Sequence, residues 1–262
     1  MVGRVRTFFA LTVAALATLV LAPTQWVLLN TGLYRGHAIL RLWHRTVASV
    51  LGMRIRVHGA MEEGRPLMIA ANHVSWSDIT VLGSIADVSF IAKSEMSGWP
   101  LIGWLSRLQR TVFVERERRR RSGEQATEIA GRMSGGDVMV LFAEGTTADG
   151  TIVLPFKSTL FGAAGMMHSS GHETVWIQPV AIAYTRLHGL PMGRQHRGIA
   201  AWIGDQDLVP HIRGLLAAPA IDVEVHFGEP IAFAKGGNRK EAARLMEARV
   251  SAMLEKALRD PG

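Results

Sequence analysis

Hydrophobic and polar positions divide the chain into an apolar N-terminal stretch and a longer region of alternating short strands and helices. Phe8 to Leu29 reads FFALTVAALATLVLAPTQWVLL and carries no charge. At about 1.5 Å per residue such a helix reaches about 33 Å, enough to cross a hydrocarbon core about 30 Å thick. Pro23 and Gln25 predict a kink or only half insertion in its second part. A cleaved signal peptide fits the same stretch, with Arg4 and Arg6 ahead of it. Ala15-Leu16-Ala17 is a poor cleavage site, and the apolar Trp26-Val27-Leu28-Leu29 beyond it favours a retained anchor. Thr31 to Gly52 predicts a second helix, with Leu33, Leu40, Trp43, Val47 and Val50 on one face and His37, Arg41, His44 and Arg45 on another. That pattern suits a helix in the lipid headgroup layer, or one packed on a core with its arginines solvated.

From Met53 the period changes. Apolar runs predict strands at Arg54–Val57, Leu67–Ala70, Val88–Ala92, Thr111–Val114, Val138–Phe142, Val175–Ala183 and Asp222–Phe227. Helices are predicted at Asp78–Ile85, Leu101–Leu108, Arg119–Met133, Leu160–His168 and Lys240–Leu258. Short apolar strands between helices imply an α/β fold with a mostly parallel, covered sheet and flanking helices. The expected organisation is a membrane-associated two-helix module at residues 1–52 and an α/β domain at 53–262. Gly189–Gly198 reads as an exposed loop.

Charge sharpens the first part of this division. The chain of 262 residues has a formal net charge of +7, yet no Asp or Glu occurs before Glu62. A cationic, apolar first quarter suits an anionic membrane surface, and no motif for nucleic acid accompanies it. More arginines follow the apolar stretch than precede it, so the domain is expected on the cytoplasmic side of the inner membrane. The absence of Cys excludes thiolate metal sites, Cys nucleophiles and disulfides. No GxSxG, GxGxxG, Walker A or HExxH segment occurs, and His168 with His172 lacks an adjoining carboxylate. Neither a metal nor a bound cofactor is expected.

The chemistry concentrates in Asn72-His73-Val74-Ser75-Trp76-Ser77-Asp78, between a predicted strand and a predicted helix. A histidine can take a proton from an alcohol, and a carboxylate on its other nitrogen fixes the tautomer. The spacing does not suit one face of a straight helix, but a turn ending in an Asp N-cap would fold Asp78 back to the ring. A core histidine beside a capping aspartate gives the same pattern. Three further segments accompany it: Phe113–Arg116, Phe142–Thr147 (FAEGTT) and Ile177–Ile182 (IQPVAI), with Pro179 inside the last.

Together, in this order, the four blocks resemble those of the glycerolipid acyltransferase family, which includes 1-acylglycerol-3-phosphate acyltransferase. The resemblance extends from Arg54 to Ile231. It implies direct acyl transfer from an acyl-CoA or acyl-carrier-protein thioester to a lysolipid hydroxyl, with His73 as base and Asp78 orienting it. It implies acceptor and oxyanion contacts around Asn72, Arg116, Glu144, Gly145, Thr146 and Thr147, with backbone N–H groups at the Gly145 turn meeting the developing negative oxygen. This chain departs from the family pattern at Thr111, Glu115, Ala143 and Thr147, where the family has Gly, Asp, Pro and Arg. The longer run EGTTADGTIVLPFKSTLFGA is similar to the bacterial branch that acylates lyso-ornithine lipid, a phosphorus-free acceptor. Lyso-ornithine lipid is the favoured acceptor and lysophosphatidic acid, acylated to phosphatidic acid, the alternative; an inactive lipid-binding scaffold and a soluble thioesterase are the competing classes. Intact His73, Asp78, Glu144 and Gly145 speak against the scaffold, and the membrane module with Arg116 against the thioesterase.

Overall fold

The computed structural model describes residues 2–34, 37–115, 119–167, 172–204, 206–218 and 220–261. Helix α1 (Val2–Thr31) continues through Pro23. Its polar side chains are absorbed by the helix itself: Thr12, Thr18, Thr24, Asn30 and Thr31 each donate to the carbonyl four residues earlier. Gly32, at φ 72°, turns the chain out of the helix. The second helix therefore starts later than expected, as α2 (Ala38–Leu51).

The remaining elements follow as β1 (Met53–His58), β2 (Leu67–Ala71), α3 (Ser77–Ile85), β3 (Ser89–Lys93), α4 (Ile102–Leu108), β4 (Val112–Val114) and α5 (Arg119–Ser134). Then come β5 (Met139–Phe142), α6 (Gly162–Met167), β6 (Thr174–Leu187), β7 (Leu190–Pro191), α7 (Arg194–Arg197), α8 (Leu208–Ala217), β8 (Ile221–Phe227), β9 (Ile231–Ala234) and α9 (Arg239–Arg259). The sheet order is β1-β8-β6-β2-β5-β3-β4, with β7 and β9 also paired to β6. All neighbours along that path are parallel except β6 and β8. The expected loop at Gly189–Gly198 contains β7 and α7, mostly exposed as foreseen.

Pro179 has a topological reason. Strand β6 pairs with β9 over Thr174–Ile177 and with β8 from Val180 onward. Pro179 falls in the gap between these partners, where a missing N–H costs no ladder bond. The Gln178 side chain closes the gap, donating to Ala60 O and Gly228 O and accepting from Glu62 N.

Two cores result. One face of the sheet packs under α2, α3 and α8 and includes Phe90, Phe142, Val180, Val223 and Val225. The other packs under α5, α6 and α9 and includes Met68, Leu141, Phe161, Val175 and Met246. The basic face of α2 is committed to the domain: Arg41 pairs with Asp87, Arg45 donates to Ser84 O and His44 is buried. Its second reading, a helix packed on the core, is the one observed, though with these arginines bonded to the protein.

Helix α1 lies along the same body. Arg6 donates to Leu216 O, Trp43 Nε1 donates to Thr18 Oγ1 at 2.8 Å, and Gln25 donates to Leu108 O at 3.2 Å. Its outward face carries Phe8, Phe9, Leu16, Leu19, Val20 and Trp26, all exposed. Val5–Thr31 is long and apolar enough to cross a membrane and suits the chain for membrane association.

Candidate active site

At the end of β2 the chain leaves the sheet and turns into α3. Asn72 fixes the exit: its side chain donates to Ile182 O at 3.0 Å and accepts from Ile182 N at 2.8 Å, bridging β2 and β6. Asp78 is the second residue of α3, so it is not the expected N-cap. Its carboxylate still reaches back over the turn. Oδ2 accepts from Val74 N at 2.7 Å, Ser75 N at 2.9 Å and His73 Nδ1 at 2.8 Å. The loop amides thus fold the aspartate onto the ring, which is how the linear spacing becomes a contact.

Oδ1 of Asp78 accepts from the Tyr184 hydroxyl at 2.8 Å, and that hydroxyl lies 2.7 Å from Ser77 Oγ. Burial, reinforced by the Asp78 charge, pushes the Tyr184 hydroxyl well above its ordinary pKa. It stays protonated and serves as a donor, leaving Ser77 to donate to the phenol oxygen. Tyr184 was not foreseen from sequence. With both oxygens of Asp78 engaged, Nδ1 of His73 carries the proton and Nε2 is the basic nitrogen. Among the described residues Nε2 has no hydrogen-bond partner. The ring lies flat on Phe142, at 4.0 Å and 13°, with 18% of the side chain exposed. A ring so held, open on one nitrogen, can take a proton from a bound hydroxyl.

The FAEGTT segment, following β5, is knitted to the same turn. Ala143 N donates to Ala71 O, Ala148 N donates to His73 O, and His73 N donates to Glu144 Oε1 at 2.8 Å. Glu144 Oε2 accepts from Leu154 N at 3.1 Å. Burial lifts the Glu144 carboxyl from 4.5 to about 7, against the two backbone donors that favour its charged form. Glu144 is thus a buried clamp on the His73 backbone. The Gly145 N–H donates to Phe142 O at 3.1 Å inside its own turn. Thr146 is exposed and Thr147 half-buried on the same loop. Arg116 lies outside the described residues. His73, Asp78, Glu144 and the Gly145 turn are brought together; Asn72 supports them from behind, its side chain bound to β6.

Beside the turn lies an apolar cavity of 230 Å³. Leu21 and Gln25 of α1, Trp43 of α2, Ile102 and Leu105 of α4, and Trp76 beside Ser77 are among its walls. Helices α1, α2 and α4 and the turn before Asp78 thus share one apolar space.

The chain belongs to the acyltransferase family: residues 54–183 match the family model described as Acyltransferase, and full-length relatives agree. It is 49% identical to the lyso-ornithine lipid O-acyltransferase of Brucella abortus (strain 2308), over 98% of this chain and 97% of that one. It is 47% identical to the lyso-ornithine lipid O-acyltransferase of Rhizobium meliloti (strain 1021), over 99% of this chain and 89% of that one. The fold matches the crystal structure of the 1-acyl-sn-glycerophosphate (LPA) acyltransferase of Thermotoga maritima, with TM-score 0.65 and 21% identity, covering 99% and 98% of the two chains.

Proposed function

We propose that this acyltransferase moves a fatty acyl group from an acyl thioester, on acyl carrier protein or CoA, to the hydroxyl of lyso-ornithine lipid. The observation that carries the reaction is the His73 ring, locked by Asp78 at Nδ1 and unpartnered at Nε2. Nε2 takes the hydroxyl proton and the oxygen bonds to the thioester carbonyl carbon. The C–S bond then breaks, and the departing thiolate recovers the proton from His73. No acyl-enzyme forms, and no cofactor takes part.

The acceptor is favoured by the names of the full-length relatives and by Thr147. A phosphate monoester is best held by two or more cations, and a neutral Thr147 offers no charge to it. A lipid chain fits the apolar cavity beside Trp76. Residues 1–52 serve as the membrane module and 53–262 as the acyltransferase domain. Contacts at Arg6 and Gln25 hold α1 against the domain along about 28 Å of its length, and Thr18 ties it to Trp43 of α2. Such a helix lies in one leaflet with its apolar face in lipid, at the cytoplasmic surface of the inner membrane where thioester donors are available.

The test is transfer of labelled acyl groups to lyso-ornithine lipid and to lysophosphatidic acid in identical vesicles, with each donor in turn. Lyso-ornithine lipid is expected to turn over faster. Thr147→Arg should move the preference toward the phosphate acceptor by about tenfold to a hundredfold, the worth of one charge-assisted contact. A strong preference of the unmodified enzyme for lysophosphatidic acid overturns the acceptor assignment.

A further inference from the structure

A second histidine–carboxylate cluster stands apart from His73. On β8, Ile221, Val223, Val225 and Phe227 face the core under α2 and α3, which turns Asp222, Glu224 and His226 to the other side of the sheet. The His73 ring lies on Phe142 of that first core, so the two clusters occupy opposite faces. The parallel register of β1 with β8 places Arg54 beside Asp222, Arg56 beside Glu224 and His58 beside His226. Gly59 permits the close approach at this end: a Cβ there would sit 2.4 Å from Phe227 O, and its φ of 76° disfavours a side chain.

The nitrogens converge on one oxygen. His226 Nε2 lies 3.1 Å from Glu224 Oε2, and His58 Nε2 lies 3.4 Å from the same atom. One ligand atom from each residue falls within 4.8 Å of the other two. The rings are stacked at 4.3 Å and 7°. Glu224 is 1% exposed, and His58 Nε2 is buried without a hydrogen bond. Among the neighbouring charges, Arg54 and Arg56 reach Asp222 at 3.9 and 3.7 Å, Arg56 stands opposite Glu224 in the β1–β8 register, and Lys256 of α9 also acts on His226.

We infer that His58, Glu224 and His226 form a binding site for a divalent transition-metal ion, zinc in the first instance. Two imidazoles and one carboxylate are a donor set for zinc, whereas magnesium and calcium prefer oxygen alone. Metal–ligand bonds of about 2.0–2.1 Å set tetrahedral ligands about 3.3 Å apart, close to the two separations observed. His58, with 42% of its side chain exposed, can swing its ring to direct Nε2 at the ion and leaves the fourth position to water. The ion would staple β1, the edge strand that follows the membrane helices, to β8.

The experiment uses tag-free, full-length protein in detergent, loaded with zinc and dialysed, with metal measured by atomic emission and unfolding followed by circular dichroism. One zinc per chain is expected, with an unfolding midpoint raised by about 5 °C, the shift of a site occupied at a hundredfold its Kd. Glu224→Gln should lose both effects. Because a buried substitution can impair folding, His58→Ala at the exposed ligand provides the second variant, and it too should lose the zinc and the shift. No zinc retained by the unmodified protein, or the same zinc and shift in a folded His58→Ala protein, overturns the site.

Discussion

His73 meets Asp78 within a single turn of chain, whereas Glu224 and His226 share one face of β8 and His58 reaches them only because β1 pairs with β8. At the first pair the carboxylate is saturated by fixed donors, Val74 N, Ser75 N and the Tyr184 hydroxyl, and the ring keeps one nitrogen for chemistry. At the second, two nitrogens from two strands crowd one carboxylate oxygen. The same residue types are arranged to pass a proton in one place and to hold a cation in the other. The difference lies in where the remaining nitrogen points.

Asp78→Asn breaks the first arrangement hardest. An amide in place of the carboxylate loses the charge that stabilises the imidazolium and turns its NH2 either on His73, favouring the wrong tautomer, or on the Tyr184 hydroxyl. Acyl transfer should fall by about 10⁴-fold, measured as initial rate on folded protein. Tyr184→Phe sharpens the comparison more gently. It removes one donor from Asp78 Oδ1 and leaves the three on Oδ2, so kcat should fall about tenfold. Stability should fall by about 1.5–3 kcal/mol in urea unfolding, the worth of one hydrogen bond to a charged group. An unchanged kcat would make Tyr184 a packing residue only.

Glu144→Gln is expected to have the smallest effect, visible as pH dependence. Glu144 has a folded pKa raised from 4.5 to about 7, so the folded state holds its proton more tightly than the unfolded state does. Its contribution to stability is complete below pH 4.5 and is lost as pH rises through about 7. The glutamine variant has no such proton. The stability advantage of the unmodified protein over Glu144→Gln should therefore decline between pH 4.5 and 8, as followed by chemical denaturation at several pH values.

Much of this was legible because its signals are local. The apolar run of α1, the His73–Asp78 spacing and the strand placement of Pro179 each lie within one short stretch of sequence. The N-cap expectation for Asp78 missed by two positions because Trp76 and Ser77 already adopt the helical turn. Pairing of Arg41 and Arg45 with the α3 end depends on how α2 packs, which hydrophobic spacing leaves open. Tyr184 gave no signal, since a tyrosine in an apolar strand reads as core until β6 is laid beside the turn before α3. The His58–Glu224–His226 cluster was the least legible. Glu224 and His226 share a face by the two-residue period of β8, but His58 comes from a strand far away in sequence, and only the β1–β8 register brings it beside them.

The central claim is that His73 activates the acceptor hydroxyl for direct transfer. It is tested most directly by following thiol release and lipid product together, with labelled acyl thioester, in the presence and absence of lyso-ornithine lipid. Thiol release should require the acceptor and match product one for one, and both should drop by at least about 10³-fold in a His73→Ala protein that retains its native circular dichroism. Equal thiol release without acceptor, or near-normal transfer by folded His73→Ala, would contradict it.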